Sequence, residues 1–294
     1  MIVHFAGLGS MGSGMAAALA RAGHEVHGAD PTPAKVDALA RAGGHALAPG
    51  APAAGAVVTC VMNAAQTREV LFGAGGLAAG LAPGGVIVSC ATVPPSFAAE
   101  MEAEAAARGL LYLDAPISGG AARAAEGTLS IMASGAPAAF DAAAPVLGAM
   151  AASVHRMGDR AGAGSAMKAV NQLLAGIHVA ATGEALAFAA SQGLDLGRVV
   201  GVVAASAGTS WMFENRAPHV VDGDYAPRSK VDIWPKDLGI VTDIAEEAGL
   251  PLPLVRTALA QFRAASEAGL GAEDDAALAK HVAAAAGIAL PEGD

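Results

Sequence analysis

The chain opens with Ile2-Val3-His4-Phe5-Ala6-Gly7-Leu8-Gly9-Ser10-Met11-Gly12, a short apolar run that ends in a glycine-rich segment. Residues 2–6 are typical of a buried β-strand, and residues 11–22 read as a helix. Between them the glycines follow the pattern G-x-G-x-x-G, in which the first glycine permits the tight turn, the second lets the backbone approach a pyrophosphate, and the third allows close helix packing. The segment therefore predicts a dinucleotide-binding turn. Its cofactor-binding residues would be Gly7, Leu8, Gly9, Ser10, Met11 and Gly12.

Short apolar runs alternate with helical stretches through the first half of the chain. The runs are enriched in Val and Ile and are bounded by Gly, Pro or Asp, as strands commonly are. This alternation predicts a parallel sheet with helices on both faces. We therefore expect residues 1–160 to form an α/β Rossmann domain, doubly wound around a mostly parallel sheet. The predicted strands are 2–6, 25–29, 56–61, 86–89, 111–115, 129–133 and 153–157, and the predicted helices are 11–22, 33–42, 65–72 and 94–108.

The strand signal fades after residue 160, where we place a domain boundary. Residues 163–192 are rich in alanine and contain no proline, which predicts a helix long enough to cross a whole domain. Residues 161–294 are therefore expected to form an all-α C-terminal domain that serves substrate binding and dimerisation. The further predicted helices are 195–207, 210–220, 235–248, 253–267 and 274–285.

Composition excludes several classes of protein. With 54% hydrophobic and 15% charged residues the chain is typical of a globular protein, and its net charge of −10 with no basic run argues against nucleic acid as a partner. Cys60 and Cys90 are too few for a disulfide framework or a metal site, so we expect no metal. The N-terminus lacks the features of a signal peptide, and no uninterrupted apolar stretch is long enough to span a bilayer. We expect a cytoplasmic protein with no membrane partner.

Several strand ends carry polar residues that suit a dinucleotide. Asp30 ends the second strand, where a carboxylate can accept hydrogen bonds from the ribose hydroxyls of NAD and would repel the additional phosphate of NADP. Lys35 could partly compensate for that repulsion, so NAD is favoured and NADP is less favoured. An N-cap for the helix at 33–42 is the alternative role for Asp30. Because ligands bind at the carboxyl ends of such strands, Met62, Asn63 and Thr92 are also predicted to bind the cofactor.

Three clusters carry groups that could do chemistry. Ser118, Gly119 and Gly120 follow a strand and could hold a substrate carboxylate, although a structural turn is the alternative. Lys168, Asn171 and Gln172 share one face of the long helix, where the lysine either extends from a core helix or acts on substrate. Lys236 lies in the first turn of a helix that begins with Pro235. A cation is unfavourable at that end of a helix, which suggests a partner other than the helix.

These motifs together resemble the β-hydroxyacid dehydrogenases, which include 3-hydroxyisobutyrate dehydrogenase and tartronate semialdehyde reductase. The resemblance covers essentially the whole chain and implies a Rossmann domain, an all-helical domain, and a homodimer or homotetramer. It places the catalytic residues at Lys168 and Asn171 and the substrate loop at Ser118, Gly119 and Gly120. It also implies that Thr92 and Lys236 contact the cofactor and that Lys168, Asn171 and Lys236 contact a small anionic hydroxy acid. The motifs are Gly7 to Gly12 with Met15, Asp114 to Gly120 with Gly127-Thr128, Gly162 to Gln172, and Lys236-Asp237-Leu238.

A narrower set of residues resembles the L-threonate-oxidising branch of this family. Gln172 stands where the wider family has a second asparagine, and Arg123, a candidate substrate contact, stands where the wider family has glycine. Thr128 and Trp234-Pro235 depart from the branch. The resemblance implies oxidation of L-threonate with NAD, with Lys168 as the base, its pKa lowered from about 10.4 by burial and by Lys236. Arg216 is a further suggested contact. The alternatives are 3-hydroxyisobutyrate dehydrogenase, 2-hydroxy-3-oxopropionate reductase, and a nicotinamide-binding scaffold without catalysis.

Overall fold

The computed structural model describes residues 1–293, and the chain divides into two compact units. The first unit spans Met1–Lys168, and the second begins at Ala169. This division falls inside the long helix that begins at Ala163. The boundary at residue 160, placed where the strand signal fades, stays a prediction.

The first unit alternates strands and helices, and the predicted α/β class with a mostly parallel sheet is confirmed. Its strands are β1 (Ile2–Ala6), β2 (Glu25–Ala29), β3 (His45–Ala46), β4 (Ala54–Thr59), β5 (Leu81–Ser89), β6 (Leu111–Asp114), β7 (Ile117–Ser118), β8 (Leu129–Ser134) and β9 (Ala151–Gly158). Its helices are α1 (Gly12–Arg21), α2 (Pro33–Arg41), α3 (Ala64–Phe72), α4 (Pro95–Ala106), α5 (Gly120–Glu126) and α6 (Pro137–Met150).

The strands lie in the order β3-β2-β1-β4-β5-β6-β8-β7, with β9 paired to β8. Pairing is parallel from β3 through to β6 and again between β8 and β9. It is antiparallel where β8 meets β6 and β7. Strand β1 lies between β2 and β4, so successive strands are added first on one side of β1 and then on the other. Because β1, β2, β4 and β5 are parallel, their carboxyl ends lie at one edge of the sheet. Ligands of doubly wound sheets bind at such a reversal.

Both faces of this sheet are covered by helices, as the alternation predicted. On one face Phe5 and Val58 pack with Met15 of α1 and with Met150 of α6. On the other face the alternate strand residues pack against α3 and α4; they include Val57, Ile87 and Tyr112, with Leu71 and Met101 on the helices. The period-2 alternation of strand side chains produces these two separate clusters.

The sequence did not predict α5, α6, β3 or β7. Helix α6 is rich in alanine and contains Pro145, so its apolar periodicity is weak. Strands β3 and β7 have two residues each, too few to show alternation. Helix α5 begins at Gly120, directly after Gly119, and these two glycines, both with positive φ, read as a turn in the sequence. Each of these elements was missed because it is too short to show a pattern, because its apolar and polar residues do not alternate clearly, or because its first residues are typical of a turn.

The second unit is helical, which confirms the predicted all-α class of this part of the chain. Each of its predicted helices differs from the structure by one or more residues at its ends, and two of them differ most. The helix predicted at 195–207 ends at Ala204, and the helix predicted at 274–285 begins as a 3₁₀ turn over Asp275–Ala277. Its helices are α7 (Ala163–Ser191), α8 (Leu196–Ala204), α9 (Trp211–Asp222), α10 (Ile233–Glu247), α11 (Pro253–Ala265) and α12 (Leu278–Ala285), of which α7 starts in the first unit.

The core of the second unit forms around two aromatic rings. Trp234 of α10 stacks on Phe262 of α11, with ring centroids 5.3 Å apart. Val231, Leu259 and Leu278 pack around them and are buried. These contacts join α10, α11 and α12 and fix the first turn of α10, which carries Lys236.

Helix α7 is the one helix in the described residues that is long and apolar enough to cross a membrane by length and composition. The core helices of soluble proteins meet the same criterion, and 44% of its most apolar window is buried inside the protein. The property therefore does not identify α7 as a membrane span.

Candidate active site

The glycine turn lies between β1 and α1, as predicted. A Cβ atom on Gly7, whose φ is +93°, would lie 2.4 Å from the carbonyl oxygen of Cys60, and one on Gly12 would lie 1.8 Å from the carbonyl oxygen of Gly7. Both positions therefore require glycine for the turn itself. A Cβ on Gly9 would meet no atom within 4 Å, so this position faces open space. A bare backbone facing open space at the start of a helix fits the pyrophosphate of a dinucleotide.

The other residues of the turn differ in what they could offer a cofactor. Leu8 is buried, so its side chain belongs to the core and only its backbone could contact a ligand. Ser13 donates its hydroxyl to the carbonyl of Leu8 at 2.7 Å, which fixes the turn from the helix side. Ser10 is exposed and Met11 is half-buried.

Asp30 joins the glycine turn to the end of β2. Its Oδ2 accepts the backbone N–H of Leu8 at 2.9 Å, and its Oδ1 accepts that of Thr32 at 2.9 Å. Lys35 Nζ lies 3.3 Å from Oδ1. Burial acts to raise the pKa of Asp30, but the bonds from Thr32, Lys35 and Leu8 outweigh it and lower that pKa. The alternative role as N-cap is wrong, because Thr32 is the N-cap of α2.

The polar residues after β4 and β5 lie at the same sheet edge as the glycine turn. Asn63 is the N-cap of α3, and its Oδ1 accepts the backbone N–H of Gln66 at 2.9 Å. Met62 is exposed and donates its N–H to the Gln66 side chain at 3.0 Å. Thr92 is half-buried between β5 and α4. Met62 and Asn63 follow β4, which pairs with β1, and Thr92 follows β5, which pairs with β4. Their placement at this edge fits the predicted cofactor role, which stays a prediction.

The predicted substrate loop joins β6 to α5. Ser118 is half-buried at the end of β7, and the chain then passes through two glycines with φ of +138° at Gly119 and +77° at Gly120. A Cβ on Gly119 would lie 3.0 Å from Cδ of Arg123, so the loop and α5 pack closely there. Arg123 itself is exposed on α5. The loop thus places the Ser118 hydroxyl and the backbone of two glycines next to a cation.

Lys168 is buried on the first part of α7, with 7% of its surface exposed. Its Nζ donates to the carbonyl oxygen of Ile117 at 2.8 Å, so the amine lies beside the residue that precedes Ser118. The structure therefore brings the predicted catalytic amine to the predicted substrate loop within the first unit.

The amino end of α7 is held by a buried carboxylate that the sequence did not identify as functional. Asp114, at the end of β6, accepts the backbone N–H groups of Gly162 at 3.0 Å and Ser165 at 2.8 Å. It also accepts the hydroxyls of Ser165 at 2.7 Å and Ser134 at 3.1 Å. Burial raises the pKa of Asp114, although these bonds oppose the rise. An acidic residue at the end of an apolar strand was the available signal.

In the second unit a chain of side chains joins the two other predicted site positions. Asn171 Nδ2 donates to Gln172 Oε1 at 3.0 Å, and Gln172 Nε2 donates to the buried Asp237 at 2.5 Å. Asp237 also forms an ion pair with Lys236. Helix α10 begins at Ile233 and not at Pro235, yet Lys236 remains near its start. The Asp237 side chain gives this lysine the partner other than the helix that the sequence suggested. The sequence placed Gln172 on the face of Lys168 but gave it no partner.

Arg216 was suggested as a substrate contact, and the structure gives it a partner inside the protein. It is buried on α9 and forms an ion pair with Asp275, which is fully buried. Among the described residues no group of His, Cys, Asp and Glu could hold a metal ion.

Two family models match this chain along most of its length. Residues 2–158 match the family described as the NAD binding domain of 6-phosphogluconate dehydrogenase. Residues 162–282 match the family described as NAD-binding of NADP-dependent 3-hydroxyisobutyrate dehydrogenase. The matched ranges contain the glycine turn and Lys168 respectively.

Individual relatives cover nearly the whole chain. The L-threonate dehydrogenase of Cupriavidus necator is 50% identical over 93% of this chain and 93% of its own length. That of Escherichia coli (strain K12) is 46% identical over 98% of this chain and 96% of its own length. A crystal structure described as 3-hydroxyisobutyrate dehydrogenase from Salmonella typhimurium superposes with a TM-score of 0.90 at 48% identity, covering 95% of this chain and 99% of that one.

The fold, the glycine turn and these relatives define an oxidoreductase that acts on the CH–OH group of a hydroxy acid with a nicotinamide dinucleotide. The chain belongs to the β-hydroxyacid dehydrogenase family, the 3-hydroxyisobutyrate dehydrogenase-like proteins, as its motifs predicted.

Proposed function

We propose that this enzyme oxidises L-threonate to its 2-oxo acid with NAD and that Lys168 is the general acid–base group. The observation that carries the proposal is the buried amine of Lys168, 2.8 Å from the carbonyl oxygen of Ile117 and so next to the predicted substrate loop. The choice of L-threonate is supported by the relatives that bear that name at 45% to 50% identity.

The groups of the first unit suit one sequence of events. The hydroxyl of Ser118 and the N–H groups of Gly119 and Gly120 hold the substrate carboxylate. Lys168 Nζ removes the proton of the substrate hydroxyl as the carbinol carbon is oxidised, and returns a proton to the carbonyl oxygen in the reverse reaction. Bound NAD supplies the hydride acceptor.

Two residues of the second unit and one of the first complete the proposed set. Asn171 orients the substrate oxygen, and its amide is itself oriented by the bond to Gln172. Lys236 and Arg123 contribute positive charge that an acidic protein needs to bind an anion. These three roles follow from the family resemblance and are part of the proposal.

Replacing Lys168 tests the central role. In Lys168→Ala we expect kcat to fall at least ~10²-fold, while NAD binds almost as in the wild type, because only the proton-transfer group is lost. Steady-state rates and NAD titration by fluorescence would measure both quantities. Lys230→Ala, which removes an exposed lysine of the second unit, is the control. An unchanged kcat in Lys168→Ala would reject the role.

A second substrate is favoured by one specific finding, since the similar Salmonella structure is described as 3-hydroxyisobutyrate dehydrogenase. That substrate and 2-hydroxy-3-oxopropionate are smaller than L-threonate and have fewer hydroxyls. We expect kcat/KM to be highest for L-threonate in a panel in which L-threonate and 3-hydroxyisobutyrate are oxidised with NAD or NADP and 2-hydroxy-3-oxopropionate is reduced with NADH or NADPH. A higher value for either smaller substrate would replace L-threonate in the proposal.

Asp30 supports the preference for NAD over NADP. Its carboxylate is ionised and fixed at the end of β2, where it would repel a 2′-phosphate. In Asp30→Asn we expect the ratio of kcat/KM for NAD to that for NADP to fall, and Lys35, released from its ion pair, would assist the phosphate. Asp37→Asn on α2 is the control. If the ratio does not move, Asp30 only holds the glycine turn.

We also propose a soluble cytoplasmic enzyme that forms a homodimer or homotetramer. Large apolar side chains are exposed in the second unit, among them Phe188 at 68%, Val202 at 66% and Leu194 at 55%. Burial of such a surface against another copy would remove it from water. Sedimentation equilibrium at micromolar concentration would detect the oligomer, and a monomer at all concentrations would exclude it.

A further inference from the structure

We propose that Asp114 is a positioning residue for the reaction: it fixes the amino end of α7 against the sheet and thereby sets where the amine of Lys168 lies. The inference rests on the proposed function, because Lys168 must be the acid–base group for its position to matter. All the contacts that carry it lie within the first unit.

The carboxylate of Asp114 holds the first turn of α7 from a distant part of the chain. The first N–H groups of a helix have no partner inside it, and a side chain usually satisfies them from the preceding residues. Here Asp114 accepts from Gly162 and Ser165, which lie 48 and 51 residues further along. Because Asp114 lies at the end of a strand, its hydrogen bonds attach the helix to the sheet. A cap from the residue just before the helix would satisfy the same N–H groups without this attachment.

A second layer of contacts brings the same turn onto the strand backbones. The Ser134 hydroxyl accepts the N–H of Gly164 at 2.8 Å and donates to Asp114 at 3.1 Å. A Cβ on Gly164 would lie 2.4 Å from the carbonyl oxygen of Met132 and 2.9 Å from that of Asp114. The helix therefore approaches β6 and β8 so closely that it admits no side chain at this position. Its direction is set by hydrogen bonds and by contact together.

The same segment that begins with Asp114 also receives the amine of Lys168. Lys168 lies one turn beyond Ser165, and its Nζ donates to Ile117, three residues after Asp114. Asp114, Ile117 and Ser118 thus hold the helix start, the amine and the proposed carboxylate site on one short stretch of chain. A shift of α7 at its first turn would change the distance between the amine and a substrate held at Ser118.

The chemistry at Asp114 suits a positioning role. The donors that the structure gives its carboxylate are neutral N–H and hydroxyl groups, and the positive end of the α7 dipole adds a favourable field. Oδ2 takes three of the four bonds, so an asparagine could place its carbonyl oxygen there and its amide towards the Ser165 hydroxyl, which can accept. Asp114→Asn should therefore keep the attachment, whereas Asp114→Ala removes it.

The test compares Asp114→Ala, Asp114→Asn and the control Glu102→Ala. Glu102 accepts the N–H of Ala161 at 3.1 Å, so its loss loosens the segment before α7 without touching the helix start. In Asp114→Ala we expect kcat to fall ~10- to 100-fold, as for a reacting group displaced by about 1 Å, with the Kd for NAD within twofold of the wild type. Asp114→Asn should restore most of kcat, and Glu102→Ala should leave kcat unchanged.

A double variant separates positioning from a general loss of stability. If Asp114 acts through Lys168, Asp114→Ala combined with Lys168→Ala should have the kcat of Lys168→Ala alone. Multiplication of the two losses, or an Asp114→Ala enzyme with wild-type kcat and only a lower Tm, would overturn the proposal. Should Asp114→Ala fail to fold, Ser165→Ala replaces it, with a smaller expected loss of kcat and the same double variant. Full activity in Lys168→Ala alone would instead overturn the proposed function.

Discussion

The two units of this protein each bury carboxylates, but they stabilise them in different ways. In the first unit Asp114 accepts four hydrogen bonds from neutral N–H and hydroxyl groups. In the second unit Asp275 faces the guanidinium of Arg216 and accepts the indole N–H of Trp234 at 2.9 Å. Its neighbour Asp274 accepts from His219 at 3.0 Å. Neutral N–H and hydroxyl dipoles surround Asp114, whereas a guanidinium of opposite charge faces Asp275.

The pKa directions follow this difference only in part. Burial raises the pKa of Asp114, and its neutral donors reduce the rise without cancelling it. Burial also raises the pKa of Asp275 despite the guanidinium of Arg216. For Asp274, burial acts in the same direction, but the bonds from His219, Arg228 and Ala276 prevail and bring its pKa down to about 2. Among these three carboxylates, only Asp274 has hydrogen bonds and charges that outweigh the effect of burial on its pKa.

The ion-paired network also contains Arg216, which the sequence suggested as a substrate contact. Arg216 and His219 lie on α9, while the backbone N–H groups of Arg228 and Ser229 both donate to Asp274. The contacts that these residues share are with Asp274 and Asp275, so they help to hold the helical unit together.

The largest effect should come from breaking the ion pair of the second unit. Asp275→Ala leaves the guanidinium of Arg216 buried without its carboxylate and removes the acceptor of Trp234. We expect the free energy of unfolding in urea to fall by about 3–5 kcal/mol. Asp224→Ala, which breaks an exposed pair with Arg228, should cost much less, because water screens an exposed ion pair. Equal losses of unfolding free energy in the two variants would show that the buried pair stabilises the protein no more than the exposed pair does.

A smaller effect should come from the first unit, where each donor to Asp114 is neutral. Ser165→Ala removes one hydroxyl at 2.7 Å and leaves the other three bonds to the carboxylate. The expected loss is about 1–3 kcal/mol, by urea unfolding. Ser206→Ala, whose exposed hydroxyl donates to the carbonyl of Val202, is the matched control and should change stability by no more than about 0.5 kcal/mol. A loss above the range expected for Asp275→Ala would reverse the comparison.

The sequence predicted the parts of the fold that have a strong local pattern. Residues 2–6 and the glycines after them gave β1, the turn and α1, because the period of a strand and the geometry of a tight turn are both local. The long helix was predicted to end at Gln192, and in the structure it ends one residue earlier, at Ser191. Helix α6 was missed because alanine on every face leaves no periodicity to detect.

The candidate site was predictable where one residue type carries the chemistry. Lys168 stood out as a cation in an apolar helix, and the structure brings it to the loop predicted for substrate. The roles of Asp114 and Asp237 could not be predicted, because Gly162, a partner of Asp114, lies 48 residues away and Gln172, a partner of Asp237, lies 65 residues away. The ion pair of Arg216 could not be predicted for the same reason, since Asp275 is 59 residues further on. Pairing between distant side chains has no local signature.

The finest test of the comparison is the dependence of stability on pH. The folded-state pKa of Asp274, about 2, lies below its ordinary value of 3.8, so its ionised form stabilises the fold. That contribution is complete above a pH of about 4 and is lost as the pH falls towards 2. The unfolding free energy of the wild type, relative to Asp274→Asn, should therefore be constant from pH 7 to about 4.5. Below that it should decline with a slope of up to about 1.4 kcal/mol per pH unit.

Asp114→Asn provides the opposite sign in the same measurement. Because the folded-state pKa of Asp114 is raised, the folded protein takes up this proton at a higher pH than the unfolded chain does. Protonation then favours the folded state, so the wild type should gain stability relative to Asp114→Asn as the pH falls through that raised pKa. Urea unfolding at steps of half a pH unit would resolve the two slopes. Slopes of equal sign would mean that dipoles and ion pairs hold these carboxylates alike, and the contrast between the two units would fail.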